Sequence, residues 1–305
     1  MSSSIRNSVT TYTKYFFAAF MFLIMGATTT PLQATAQSIN AQPAHRFTQS
    51  ITPELRNRFN REQSIVTNNN VSGSNSAVYY YNWSGYAVTG SGFNEVQSTY
   101  VQPTVNCAVP NSWVVFWVGF DGYNNDTVEQ TGTAAKCGST PNSAPVYFAW
   151  WEMYPTNYIQ TMPITVSPGQ IIQATVTYTA SNKIYGLKVA NLSNGQQNIQ
   201  NKTCAAGLVC ARNSAEWIVE RPAVNGVYTS LANWGKMSLN SAQASNTQTY
   251  NRRTRQYSNV MKPISSYSNN PINMVSTSPS AYLLAIVSNL NTAGNSFTDT
   301  WQTAQ

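Results

Sequence analysis

The chain has 305 residues, of which only 9% are charged, while 42% are hydrophobic and 12% aromatic; an ordinary soluble protein carries about 25% charge. Seven Glu and seven Lys in the whole chain are too few for exposed amphipathic helices, which excludes a helical bundle or coiled coil. The formal net charge is +7 and the single histidine is His45, so any Ser-His-Asp, Cys-His or His-ligated zinc site would have to use that one residue. No cofactor and no metal is expected.

Arg6 and Lys14 precede an uncharged apolar run over residues 16–27. At about 12 residues it is too short to span a bilayer and suits a secretory h-region, with a lone membrane anchor as the alternative. Ala34-Thr35-Ala36 then offers a cleavage site before Gln37. Residues 1–36 therefore read as a signal peptide, and the product as secreted, extracellular or periplasmic in transit, without a membrane partner once the signal is removed. In an oxidising compartment the even count of four cysteines suggests two disulfides, for which three connectivities exist, with free buried thiols as the alternative. Proximity favours Cys204 with Cys210 and Cys107 with Cys137, because short loops lose the least closure entropy. The second bond would then tie a strand before Trp113 to a loop after Gln130.

Residues 37–76 have a different character. Thr52-Pro53-Glu54 is an N-cap with Pro at the first helical position, and residues 55–66 continue as a short helix carrying Arg56, Arg58 and Arg61. Asn68-Asn69-Asn70 and Gly73-Ser74-Asn75-Ser76 follow as linker. This order suits a pro-segment that docks its arginines over an acidic cleft and inhibits it; an ordinary N-terminal extension is the other reading.

From residue 77 to 305 there are 11 Lys and Arg against 8 Asp and Glu, a balance of +3. Arg252, Arg253 and Arg255 form the one dense basic cluster. Three arginines in a loop do not make the basic face a nucleic-acid partner requires. Aromatic and β-branched runs punctuated by Gly, Pro, Asn and Ser predict strands at 78–88, 95–102, 113–120, 146–154, 171–178, 184–191, 215–220, 272–276, 281–288 and 296–301. With no helical segments between them, one all-β domain of antiparallel sheets follows, packed as a sandwich or closed as a barrel, and expected as a monomer.

Alternation places functional groups on strand faces. Phe148, Trp150, Glu152 and Tyr154 share one face, as do Glu216, Ile218 and Glu220, and as do Trp113, Val115, Trp117, Gly119 and Asp121. Six of the eight acids of the body (Asp121, Asp126, Glu129, Glu152, Glu216 and Glu220) lie in three short aromatic-rich segments. Carboxylates set among aromatics in a cleft are suited to proton transfer.

Five segments resemble, in order, those of the glutamic peptidases, or eqolisins. They are Asn82-Trp83-Ser84-Gly85, Trp117-Val118-Gly119-Phe120-Asp121-Gly122, Gln130-Thr131-Gly132, Trp150-Trp151-Glu152-Met153-Tyr154-Pro155 and Ala215-Glu216-Trp217-Ile218-Val219-Glu220. The chain looks like a bacterial-type member similar to the fungal acid endopeptidases, over most of residues 82 to about 240. The resemblance implies a double-sheet β-sandwich of the lectin/glucanase (jelly-roll) type that hydrolyses protein or peptide substrates. It puts the catalytic pair on Gln130 and Glu220, and cleft or supporting roles on Trp83, Trp117, Asp121, Trp150, Glu152, Tyr154 and Glu216. Phe148 stands where the fungal pattern often has Asp, and Arg221-Pro222 where it has an acid and an aromatic. The sequence continues beyond Ser241 as a further tail.

Two other classes fit the same residues. A β-sandwich glycosidase would pair Glu152 or Glu216 with Glu220, leaving Gln130 without a role; a lectin-like module would use the aromatic face for stacking. N-terminal sequencing of the secreted protein checks the division of the chain. Successive starts at Gln37 and near Ser76 are expected, and an active, stable form beginning at Gln37 contradicts the pro-segment.

Overall fold

Aromatic and β-branched residues that pack well on a pleated surface form most of the strands. The computed structural model describes residues 77–224, 226–278 and 281–305. The expected signal peptide, pro-segment helix and linker lie outside the described residues. In chain order the strands are β1 Val78–Tyr80, β2 Trp83–Thr89, β3 Glu95–Val101, β4 Trp113–Phe120, β5 Val128–Lys136, β6 Val146–Tyr154 and β7 Asn157–Met162. They continue as β8 Ile171–Thr179, β9 Ile184–Asn191, β10 Gln196–Thr203, β11 Ser214–Glu220, β12 Ala223–Val224, β13 Val227–Tyr228 and β14 Lys236–Ser245. The last are β15 Gln248–Asn251, β16 Gln256–Asn259, β17 Lys262–Pro263, β18 Ser268–Val275, β19 Leu283–Val287 and β20 Phe297–Trp301, with one 3-10 turn at Ile264–Ser266.

Hydrogen bonding follows the path β10-β9-β8-β3-β14-β20-β19-β18-β2-β11-β4-β5-β6-β7. The path folds over on itself as a sandwich, in which its first half covers its second. Bonds between the layers show this directly: Tyr100 of β3 donates to Phe116 O of β4 and bonds the Thr133 hydroxyl of β5, and Trp217 of β11 donates to Gln97 O of β3. Between the layers lie Tyr100, Phe116, Val118, Ile172, Val176, Leu187, Val189, Trp217 and Val219, all buried. Truncating one such large side chain to Ala costs about 3–5 kcal/mol. On the far side of the β2-β11-β4-β5-β6 layer is a second, smaller cluster: Trp83, Ala87, Val115, Trp117, Val128, Ala134, Trp150, Ile218 and Ile272. Each of these strands therefore carries apolar residues on both faces, which ordinary surface strands do not.

Both disulfides have the expected pairing, Cys107 with Cys137 and Cys204 with Cys210, with Cα atoms 5.4 and 5.9 Å apart. Their surroundings differ from expectation. Gln130 sits inside β5 rather than before a loop, Cys137 follows the end of that strand, and Cys107 belongs to a loop that makes one bridge, from Asn106 to Asn233. The expected strand 78–88 breaks at Tyr81-Asn82, so that β1 pairs in parallel with β18 while β2 runs antiparallel to β18 and β11. Strands β5, β7, β10 and β14 and the β15-β16 hairpin were not expected from the sequence. Small or polar residues dominate them, as in VEQTGTAAK of β5 and QQNIQNKT of β10, which ends the path as an edge. Arg252, Arg253 and Arg255 occupy the exposed turn of the β15-β16 hairpin.

Asp299 of β20 is wholly buried, and burial pushes its carboxyl up from 3.8 to about 8. The neutral acid is thus the folded form, and folding takes up a proton wherever the unfolded chain is ionised. Its contribution to stability is complete below about pH 4 and is lost as pH rises toward about 8. Calorimetry across this range is expected to show Tm falling with pH, and Asp299→Asn to reduce the slope. An unchanged slope in the variant contradicts the assignment.

Candidate active site

Five strands laid side by side turn alternation into a lattice. On the face away from the sandwich core, one row runs Ala87, Glu216, Gly119, Gln130 and Glu152 across β2, β11, β4, β5 and β6. The next same-face row is Gly85, Ile218, Trp117, Gly132 and Trp150, and the third is Trp83, Glu220, Val115, Ala134 and Phe148. The middle row depends on its two glycines. A Cβ on Gly132 would stand 1.9 Å from Phe116 O, and one on Gly85 2.0 Å from Trp217 O. Any other residue there would force neighbouring strands apart.

Glu220 ends β11 and is half-buried. Its Oε2 accepts from the Trp117 indole Nε1 at 2.8 Å and its Oε1 from Asn82 Nδ2 at 3.2 Å. A carboxylate accepts and cannot donate, so two N–H donors suit it. Gln130 is 5% exposed, and its Nε2 donates to Glu152 Oε2 at 2.5 Å. That acceptor orients the amide: the nitrogen faces Glu152, one further N–H stays free for other use, and the buried Oε1 has no hydrogen-bond partner among the described residues. Thr131 steadies the same stretch by donating to Trp150 O at 2.7 Å.

An aromatic wall borders Glu220. Trp83 meets Trp117 edge-on at 5.0 Å, Tyr80 stacks on Trp83 at 5.8 Å, and Tyr123 stacks on Tyr80 at 6.0 Å. Such pairs add about 0.5–1.5 kcal/mol each beyond area burial. Trp117 and Trp150 are fully buried and form the floor of the face. Tyr154 is half-buried at the end of β6, edge-on to Tyr158 at 6.2 Å.

The six acids expected in the cleft separate. Glu152, Glu216 and Glu220 share the cleft face. Asp121 was expected on the Trp117 face, but β4 ends at Phe120 and Asp121 turns away at φ 67°. Its carboxylate accepts from the backbone N–H of Arg212 at 2.7 Å and of Asn213 at 2.9 Å, and from Asn125 Nδ2 at 2.9 Å, which anchors the loop entering β11. Glu129 pairs with Phe120 and Met153 in register and so points into the sandwich, where burial, followed by the charge of Asp121, raises its carboxyl well above the usual range. Asp126 is exposed in the turn. The expectation of a six-acid cleft was wrong for these three: the turn after Phe120 takes Asp121 and Asp126 off the face, and Glu129 alternates with Gln130 within β5.

Register alone would match Gln130 with Glu216, which is level with it across Gly119. Burial decides otherwise. Glu216 is wholly buried, and that burial raises its carboxyl well above the usual carboxylate range, with the Asp121 and Glu129 charges adding to it. Glu220 alone of the two is both partly accessible and supplied with N–H donors. The sequence reading did not single out Asn82, Tyr80 or Tyr123. Asn82 lay within the Asn-Trp-Ser-Gly segment, but a strand drawn through 78–88 hid the turn that aims it at Glu220.

With this fold and face described, the chain is placed as a glutamic-type endopeptidase. The peptidase A4 family model matches residues 81–282, and the chain belongs to that family. Aspergillopepsin-2 of Aspergillus niger is 27% identical over 203 residues, covering 57% of this chain and 67% of the relative. Scytalidopepsin B of Scytalidium lignicola is 33% identical over 143 residues, or 46% of this chain and 51% of the relative, so the chain spans about half of that relative's length. Among solved structures, scytalido-glutamic peptidase with a transition state analog inhibitor superposes with a TM-score of 0.58 at 20% identity, over 73% of this chain and 98% of that one. The last likeness is one of fold. Family membership sets aside the glycosidase and lectin readings.

Glu216→Gln tests the choice between the two glutamates. It is expected to cost less than about tenfold in kcat at acidic pH and to make Tm less sensitive to rising pH, because the neutral amide replaces an acid held neutral. A collapse of activity in a folded variant would make Glu216 the functional carboxylate.

Proposed function

We propose that the protein is a secreted, acid-acting endopeptidase in which Gln130 and Glu220 work as a pair on a bound water. The observation that carries the reading is that each is held by its own partners on one sheet face, Glu220 by Trp117 and Asn82 and Gln130 by Glu152. Hydrolysis without a nucleophilic side chain needs three things: a base for water, a donor for the oxyanion and an acid for the leaving amine.

Ionised Glu220 takes one proton from water as the water oxygen bonds to the substrate carbonyl carbon. The free N–H of Gln130 donates to the resulting oxyanion, a contribution of about 3 kcal/mol for a single such donor. Protonated Glu220 then gives its proton to the peptide nitrogen as the C–N bond breaks. One water is consumed, and that transfer restores the carboxylate before the products separate. Trp83 and Tyr154 border the substrate in this reading, and Glu152 holds the amide.

Acid action is supported by the buried acids Glu129, Glu216 and Asp299, all pushed upward by burial, so the fold loses stability as pH rises. Secretion is supported by the N-terminal run with its Ala-x-Ala site and by the two disulfides. In this reading the segment 37–76 is an inhibitory pro-segment, and the mature body acts as a monomer.

A zymogram at acidic pH is expected to show clearing of casein and none of glucan. Glu220→Gln should abolish the clearing with the far-UV spectrum unchanged, and Gln130→Ala should reduce the rate on the order of 10²–10³-fold. Substantial activity in folded Glu220→Gln overturns the pair.

A further inference from the structure

Directly after Glu220 stands Arg221, whose side chain is only 2% exposed. A guanidinium is costly to bury unless its N–H groups are paired. Here Nη2 donates to Tyr81 O at 2.9 Å and Nη1 to Gln305 Oε1 at 2.7 Å, the ring of Tyr228 lies 4.9 Å beneath, and Nε alone of the three nitrogens has no hydrogen-bond partner among the described residues. The main-chain N–H of Arg221 donates to Asn82 O at 2.9 Å. Gln305 is itself fixed, accepting from Thr277 N at 3.0 Å and donating to Thr277 Oγ1 at 2.7 Å. Burial lowers the guanidinium to about 10, with Tyr228 and Tyr282 opposing, so it remains a cation throughout the acidic and neutral range.

These bonds converge on one turn. Tyr81-Asn82 is the break between β1 and β2, and Asn82 is the residue whose amide holds Glu220 Oε1. Arg221 therefore grips the carbonyls on both sides of the Tyr81–Asn82 link, one through its side chain and one through its backbone. A turn held by a backbone bond alone could pivot, whereas a second anchor one residue earlier fixes the direction of the Asn82 side chain. We propose that Arg221, braced by Gln305, is a positioning residue: it sets the Tyr81-Asn82 turn so that Asn82 holds Glu220 in its working orientation. This rests on the reading of Glu220 as the base.

The test is a mutant cycle on the full secreted protein with a peptide substrate at acidic pH. Asn82→Ala is expected to lower kcat on the order of 10- to 100-fold, the scale of one lost bond to a charged acceptor, with KM changed by less than about threefold. Arg221→Lys keeps the charge but not the planar two-pronged donor; it should lower kcat by a smaller factor, again with KM nearly constant. Gln305→Ala, at the edge of the network and expected to fold, should also lower kcat alone. The Asn82→Ala/Arg221→Lys double variant should be no slower than Asn82→Ala, since Arg221 acts through Asn82. Additive losses in the double variant, or wild-type kcat in both Arg221→Lys and Gln305→Ala, overturn the proposal. Glu220→Gln run alongside keeps the cases apart: if it stays active the pair itself is wrong, and if it is inactive only the positioning role is at stake.

Discussion

A carboxylate set among tryptophans has exchanged water for poorer solvation and must recover hydrogen bonds from the protein. Glu220 recovers them from the Trp117 indole on the neighbouring strand and from the Asn82 amide in a turn. The site depends on this arrangement. Trp117 can reach Glu220 only if β4 and β11 keep their register, because a slip of one residue would send Trp117 and Glu220 to opposite faces. Gly132 and Gly85 let the flanking strands β5 and β2 close on β4 and β11, where any Cβ would meet a backbone oxygen. Apolar packing on both faces of the layer holds the register from both sides.

The same physics gives chemically identical side chains different roles. Glu152 is the acceptor that orients an amide, Glu216 and Glu129 are buried acids whose carboxyls burial pushes upward, one inside the wall and one in the core, and Glu220 is the accessible carboxylate with two donors. A body with only eight acids uses few of them for solubility. The buried acids make the fold favour low pH, which suits chemistry that requires one carboxylate both to accept and to return a proton.

Much of this was legible in the sequence. Strands rich in large apolar residues, such as WVVFWVGF of β4 and VYFAWWEMY of β6, have the bounds their composition indicates, and alternation put Trp150 and Glu152 on one face of β6, while a cleft role for Trp117 came from the family resemblance. The sandwich class and both disulfide pairings could also be read, the pairings from loop length alone. Strand β5 could not, because Gln-Thr-Gly reads as turn chemistry. Its glycine is there for a close approach between strands, which is a property of the partner strand and not of the segment. Asp121 was misplaced because the backbone turns to positive φ at Asp121 and Gly122 and ends the period of two, and Glu129 because, with β5 unrecognised, nothing showed that it faces away from its neighbour Gln130. The link from Gln305 through Arg221 to Asn82 joins residues more than eighty positions apart, and no local pattern records it.

The central claim is that water held by Glu220 and Gln130 attacks the peptide bond directly, with no side chain forming a bond to the substrate. Cleavage of a defined peptide in ¹⁸O-labelled water, with a strong amine nucleophile added and the products weighed by mass spectrometry, tests it most directly. The account predicts one ¹⁸O in each new carboxyl group and no acyl group transferred to the amine. An amide adduct that grows with amine concentration would reveal an acyl-enzyme and contradict the account.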